Sequence, residues 1–318
     1  MRTREPTLVF ATSDKGGTGR SVTSCNIAYR LSLRGDDVAY VDFDFGSPTA
    51  GALFEIGRAE RGVTPGTGMH SYLLEDVGEA ARLNIAHTSD RKQLRRVQSG
   101  AGKLVLYPGD LGGSEFTVCD DSMVKQGTAL FSKLLNEFSV VIVDLSAGRS
   151  VALNLALRIT AAAELRSRVH RWLVYHRWTR QHVLAAGGLV YGDNGLLDHG
   201  EEWGHNREAL LASTRCVRTA VAATDRTRNT PDRTRDADRP EQNTWLDEQA
   251  IALQELAMAN GLGAAMVLGQ TPIEPMLQWR EQVILDVDVN ARIANEATAD
   301  AYMRLARRLT DKSTWDIE

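Results

Sequence analysis

The sequence predicts an α/β fold: a doubly wound, mostly parallel sheet with helices on both faces, in a single domain spanning residues 1–318. Three observations carry this expectation. Short apolar, partly β-branched runs alternate with stretches of helical period, the pattern of strands joined by crossover helices. The run Ser139-Val140-Val141-Ile142-Val143-Asp144 is almost continuously apolar, as a strand covered on both faces must be. Several runs also end in glycine-rich or carboxylate-bearing turns, where the strands of an open parallel sheet meet a ligand crevice.

Composition narrows the classes. With 43% hydrophobic residues in 318, the chain can bury a sizeable core. Its net charge of −4 gives no overall basic field of the kind that attracts nucleic acid. The opening Met1-Arg2-Thr3-Arg4-Glu5-Pro6 lacks the apolar centre of a signal peptide. No run approaches the roughly 18 apolar residues of a membrane span. Cys25, Cys119 and Cys216 lie far apart and form no C-x-x-C, which argues against a zinc site or a disulfide framework and for a reduced, cytoplasmic setting. The seven histidines include no ligand-spaced pair and read as surface or satisfied core residues.

Taken in order, the chain opens with a buried strand over Leu8-Val9-Phe10-Ala11-Thr12. Asp14-Lys15-Gly16-Gly17-Thr18-Gly19-Arg20-Ser21 follows. Val22, Cys25, Ala28 and Leu31 then recur at helical spacing until Gly35. Strand, glycine-rich turn and helix are the setting of a phosphate-binding loop. Glycines let the backbone N–H groups turn inward, and the helix N-terminus adds roughly half a positive charge. The candidate cradle is Gly16, Gly17, Thr18, Gly19, Arg20, Ser21 and Val22. A hydroxyl in the first helical turn, here Ser21, can ligate the Mg²⁺ that accompanies a nucleotide.

The second strand has its core at Val38–Val41 and ends in Asp42 and Asp44, two residues apart and so on one side of an extended chain. Residues 57–80 read as a glycine-rich loop with one helix near Tyr72–Asp76, and Leu83–His87 as a short strand. Leu104–Tyr107 is a strand stopped by Pro108-Gly109. After an acidic loop at 110–121, Met123–Phe138 is an amphipathic helix. The strand at 139–144 ends in Asp144 and the turn Leu145-Ser146-Ala147-Gly148. Val151–Leu165 is helical in pattern. Trp172–Tyr175 is a strand whose exit, His176 to His182, is rich in charge and aromatic rings; it reads as a solvated helix start, or else as a cleft lining or partner surface.

Leu184–Tyr191 continues a helix, 192–206 reads as loop, and Cys216–Ala222 as the next strand. Asp225–Gln242 carries five Arg against four Asp and one Glu and almost nothing apolar, so it reads as a mobile charged loop within the domain. Trp245–Asn260 is a helix capped by Gly261, and Ala264–Gly269 a strand leading into a turn with Pro272. Ile293, Ala297, Ala301, Leu305 and Leu309 mark a final helix. Its Arg304, Arg307 and Arg308 read as a solvated face, with non-specific DNA as the weaker alternative.

An early lysine before Gly-Gly-x-Gly, here Lys15, resembles the loop of the deviant Walker A ATPases, the ParA/MinD group that also includes the nitrogenase iron protein. The family places a second lysine directly before Ser/Thr; this chain has Arg20. Val41 to Gly46 (V-D-F-D-x-G) resembles the second motif of the group. Asp144 to Gly148 resembles its D-x-x-A-G, and Gly269 to Pro272 its G-x-x-P turn. The resemblance implies a P-loop NTPase fold with ATP and Mg²⁺ as cofactors. Ser21 would ligate the metal, with Asp42 and Asp144 acting on it through water. Lys15 and Asp44 would do the catalytic work, Asp44 by orienting the attacking water and Lys15 by reaching a partner's nucleotide. Ala147 and Gly148 would sense the γ-phosphate, and Pro272 would pack against the base. No Asn-Arg pair stands after Cys216–Ala222, where family members often hold adenine.

The resemblance also implies a nucleotide-dependent homodimer that positions or regulates a protein partner. Lys312–Glu318 is too short and too acidic for the membrane helix that ends MinD members, so no membrane partner is expected. Arginine is a larger, planar fork than lysine. Arg20 therefore sets the expectation of nucleotide binding retained or weakened and hydrolysis slow or absent. The chain reads as a switch or, alternatively, as a hydrolysis-dead scaffold. A dinucleotide oxidoreductase could begin at Gly17-Thr18-Gly19, but Val22 stands at the third glycine, and Lys15 and Asp144 would have no role.

Overall fold

The computed structural model describes residues 5–96, 99–222 and 240–316. Eight strands make one sheet: β1 (Thr7–Thr12), β2 (Val38–Phe43), β3 (Leu83–Asn84), β4 (Leu104–Tyr107), β5 (Val140–Leu145), β6 (Val169–Arg177), β7 (Thr214–Val221) and β8 (Val267–Pro272). Six longer helices are α1 (Arg20–Leu33), α2 (Asp121–Glu137), α3 (Val151–Ala161), α4 (Arg180–Tyr191), α5 (Pro240–Ala259) and α6 (Glu296–Thr310). The strand order is β3-β4-β2-β5-β1-β6-β7-β8. Every pairing is parallel except β3 with β4. β1 lies between β5 and β6, so the chain winds outward on both sides of it and the crevice opens at its carboxyl end.

Alternation along each central strand divides the core into two layers. Leu8 and Phe10 face one way, with α2, α3, α4 and Ala257 of α5. Val9 and Ala11 face the other, with α1 and α6. On the first face Phe10 stacks on Trp172 with ring centroids 4.5 Å apart. Both faces of β1, β2 and β5 are dry, which is why their sequences read as unbroken apolar runs.

Several local expectations are corrected. Leu83–His87 is a strand only to Asn84; the Asn84 side chain then accepts from the Ala86 N–H and caps a turn of helix over Ile85–Thr88. Residues 192–206 hold a helix at Leu196–Glu202, whose Leu196 and Leu197 are fully buried, so tertiary burial overrides the glycine content. Arg207–Ala212 is a further short helix. Ala264–Met266 is a 3₁₀ turn that shifts β8 three residues later than the apolar run suggests. Ile293 is exposed and precedes α6. Of the charged segment at 225–242, residues 225–239 lie outside the described residues, and 240–242 form the first turn of α5 behind Pro240.

One buried group near the end of β6 ties the fold to pH. His176 is 1% exposed, its Nδ1 donates to the Arg177 carbonyl at 3.1 Å, and among the described residues its Nε2 has no partner. Burial pushes its pKa down to about 4 from 6.5. The unfolded chain takes up this proton near pH 6.5, whereas the folded chain resists it until about pH 4. The contribution is therefore present above pH 6.5 and lost as pH falls toward 4. At about 1.4 kcal/mol per unit, the loss is about 3 kcal/mol. Urea unfolding across this range should show it on top of a like contribution from His170, and His176→Asn should reduce the slope by about half; an unchanged slope would assign the effect elsewhere.

Candidate functional site

β1 delivers the loop at the crevice. Gly17 (φ 70°) and Gly19 (φ 74°) are left-handed, a conformation in which a side chain is strained. Space is not the constraint, since a Cβ on Gly16 or Gly17 would meet nothing within 4 Å. Gly19 stands at the N-cap of α1 with no side-chain cap, so the first-turn N–H groups of α1 are left for another acceptor. The loop is tied down on two sides. The Gly148 N–H donates to the Ser13 carbonyl at 2.7 Å, and Arg149 pairs with Asp14 at 2.9 Å while also donating to the Gly188 and Asp193 carbonyls. Across the crevice, the Thr219 hydroxyl donates to the Thr18 carbonyl at 2.5 Å.

Arg20 does not point into the loop's cradle. It is 6% exposed and lies beneath the loop. Its Nε donates to Asp144 Oδ1 at 2.5 Å, and its Nη2 to Asp44 Oδ2 at 2.7 Å and to Ser21 Oγ at 3.3 Å. Burial works against its charge, but the Asp144 and Asp44 carboxylates outweigh burial and push its pKa up. The second oxygen of Asp144 accepts from the Tyr40 hydroxyl at 2.9 Å. The Tyr40 oxygen in turn lies 2.9 Å from the Ser24 hydroxyl, whose single proton can go either to Tyr40 or to the Arg20 carbonyl at 2.8 Å. Burial and the Asp144 carboxylate hold the Tyr40 phenol well above its ordinary range, so it stays a donor.

Parallel register sets Asp42 of β2 beside Asp144 of β5. The strand ends at Phe43, and there the two carboxylates of the second motif part company. Asp42 is fully buried and accepts from the Asp44 N–H at 3.1 Å and the Ala50 N–H at 3.2 Å. Burial, together with Asp144 and Asp44, raises its pKa well above the carboxylate range. Asp44 is raised as well, because burial outweighs the pull of Arg20.

Lys15 is exposed at the mouth of the loop, and among the described residues it has no ion-pair partner. His182 lies close enough that burial, then Lys15 and Arg177, lower its pKa. A cavity of about 300 Å³ opens beside the loop, walled by Gly17–Gly19, Val22, Thr219, Ala220, Pro272 and Tyr302. Arg177, from the aromatic and charged exit of β6, lines it too. Ala220 is left-handed (φ 50°) where β7 slips register against β8. The structure thus brings together Ser21, Asp42, Asp44, Asp144 and Arg20, sets Pro272 in the adjoining cavity wall, and leaves Lys15 outside. Sequence reasoning missed Tyr40 and Ser24. The available signal was spacing: Tyr40 is two residues before Asp42 and Ser24 four after Arg20.

A model of the CobQ/CobB/MinD/ParA nucleotide-binding domain matches residues 9–301. The chain belongs to that family. Among curated proteins no sequence matches it. Solved structures share its fold at low identity. The MinD cell division protein of Aquifex aeolicus is 16% identical over 96% of both chains, with a TM-score of 0.57. A putative plasmid partition protein of Borrelia burgdorferi B31, solved with AMPPNP, is 14% identical over 97% of this chain and 100% of its own, TM-score 0.57. The MinD protein of Pyrococcus horikoshii OT3, solved with Mg-ADP, is 14% identical over 97% of each, TM-score 0.51.

Within this ParA/MinD fold, the Arg20 cluster should behave as a unit. Arg20→Met leaves Asp44 and Asp144 without their shared cation and should cost about 3–5 kcal/mol in urea unfolding. Tyr40→Phe removes one donor to the buried Asp144 carboxylate and should cost about 1.5–3 kcal/mol. An Arg20→Met loss no greater than that of Tyr40→Phe would show that the guanidinium is not the charge that holds these carboxylates.

Proposed function

We propose that this chain is a nucleotide-binding switch that takes ATP on residues 16–22 and dimerises on binding it. The observation that carries the reading is contiguity. The two left-handed glycines turn β1 into α1 directly beside the 300 Å³ cavity, so a phosphate cradle and a base-sized space share one wall. The phosphates would lie on the N–H groups of Gly16 to Val22 and the base against Pro272 and Ala220. Gly148, held against Ser13, would stand where a γ-phosphate ends. Support comes from the family and from fold neighbours solved with AMPPNP and with Mg-ADP.

Lys15 is the residue that gives the switch its direction. Exposed and upstream of the glycines, it would meet the phosphates of a second copy. Asp44 would position the attacking water, but Arg20 holds it in an ion pair, so turnover is slow or lost. That same pair is what favours the second reading, a hydrolysis-dead nucleotide-bound scaffold. The cargo would be a protein partner, as in the Aquifex aeolicus MinC:MinD complex. DNA, as with the pNOB8 ParA structure on nonspecific DNA, is less supported given the net charge of −4. The family also implies Mg²⁺ at Ser21, Asp42 and Asp144. The side chains fit it poorly: the buried Arg20 guanidinium already lies on Asp144 and Ser21, Tyr40 donates to the other Asp144 oxygen, and each Asp42 oxygen accepts from a backbone N–H, so a metal would sit against a resident positive charge.

Calorimetry with ATP, GTP, ADP and non-hydrolysable analogues should give saturable binding; none with any of them would end the nucleotide reading. Light scattering with a non-hydrolysable triphosphate should give dimers. Lys15→Ala should weaken dimerisation by about tenfold to a hundredfold, the worth of one charge-assisted contact, while monomer binding stays nearly intact. Wild type that stays monomeric, or Lys15→Ala that dimerises equally well, would leave the scaffold as the account.

A further inference from the structure

Ser21 and Asp144, two of the three side chains that a divalent cation and its water shell would be expected to use, already share a cation in this chain, and so does Asp44, the expected water-orienting carboxylate beside them; Asp42, the third, is not reached by it. The guanidinium of Arg20 reaches Ser21, Asp44 and Asp144 at 3.3, 2.7 and 2.5 Å. A lysine ammonium is a compact point charge, whereas a guanidinium presents several donors in a fixed plane. Arg20 can therefore bridge oxygens from α1, β5 and the turn just past β2 at once, the geometric task of a coordinated ion. Tyr40 engages the remaining Asp144 oxygen, and backbone N–H groups engage both oxygens of Asp42. A metal brought here would have to displace these donors and would sit beside a buried positive charge. Two such charges about 4 Å apart repel appreciably even at an intermediate dielectric.

We propose that Arg20 is the resident cation of this site: its guanidinium occupies the place of the divalent ion, and the chain engages nucleotide phosphates without Mg²⁺. The statement about nucleotide rests on the proposed function; the statement about the cation does not. On this reading the substitution does more than remove a phosphate contact. It converts a metal-assisted loop into one whose counter-charge is covalently part of the protein. The ligand class is a metal-free nucleoside polyphosphate, held by the loop N–H groups and the α1 terminus.

The test has two arms on the full chain. In the first, without nucleotide, Mn²⁺ alone is titrated and its free ion followed by electron paramagnetic resonance. Wild type should leave Mn²⁺ free, and Arg20→Ala should take up one equivalent that Asp144→Asn in the same background abolishes. Uptake by wild type that Asp144→Asn abolishes, or an Arg20→Ala chain that takes up none, would overturn the proposal. If Arg20→Ala does not fold, Arg20→Gln replaces it, and the wild-type titration still decides. In the second arm, calorimetry with a non-hydrolysable ATP analogue is run in EDTA and in Mg²⁺. Affinities within about a factor of three support the proposal, and a fall of about tenfold or more in EDTA overturns it. Absence of binding in both media would sink the nucleotide reading instead, while the Mn²⁺ arm would still decide on Arg20.

Discussion

A single guanidinium, buried between two carboxylates, is the constraint on which this site depends. Desolvating an ion costs several kcal/mol, and a buried pair returns that only when its geometry is good and its remaining atoms are hydrogen-bonded. Here the arrangement is close to closed. Arg20 meets Asp144, Asp44 and Ser21; Tyr40 meets the free oxygen of Asp144; Ser24 meets both Tyr40 and the Arg20 carbonyl. The cluster is better regarded as fixing positions than as adding net stability. It locks the start of α1 to the ends of β2 and β5, and the loop above inherits that rigidity.

What was legible in the sequence was what is locally determined. β4 falls on Leu104–Tyr107 as the sequence predicts, and β5 within one residue of it, since a strand dry on both faces has no competing pattern. The strand–loop–helix setting of residues 8–33 was equally plain. The destination of Arg20 was not. Its partner Asp144 is 124 residues away, and nothing in the loop says whether a long side chain there turns up to a phosphate or down to a carboxylate. Tyr40 was invisible for the same reason: its alignment with Asp144 exists only once β2 and β5 are in register. The helix at Leu196–Glu202 was hidden by its glycines, and only the burial of Leu196 and Leu197 explains it.

The adjoining cavity is built by a different economy. Its far wall is anchored by Glu274, 3% exposed, which accepts from the Asn295 N–H, the Asn295 side chain and the Thr298 hydroxyl at the start of α6. Those bonds satisfy donors at a helix N-terminus and hold the turn after Pro272 in place. On the near wall, the bond from Thr219 to the Thr18 carbonyl joins β7 to the loop. Both walls of the cavity are therefore held by hydrogen bonds that do not involve the Arg20 cluster, while the loop is tied both to the near wall, by Thr219, and to the cluster, through Arg20 itself.

The register of β2 against β5 has a consequence for how closely their pairing is specified. Side chains alternate with a period of two, so a slip of one residue would turn Asp144 to the opposite face of the sheet. Arg20 would then lie buried with half its partners gone, and a dry apolar layer would receive a bare carboxylate. Apolar strands such as Val140–Val143 discriminate weakly between registers, since every neighbour is equally greasy. The ion cluster adds a requirement they lack: the contact across 124 residues needs Asp144 on the face that meets Arg20, and a slipped register would strand a buried charge. The ion cluster and the strand register therefore specify one another, at the point where the first, second and fifth strands meet.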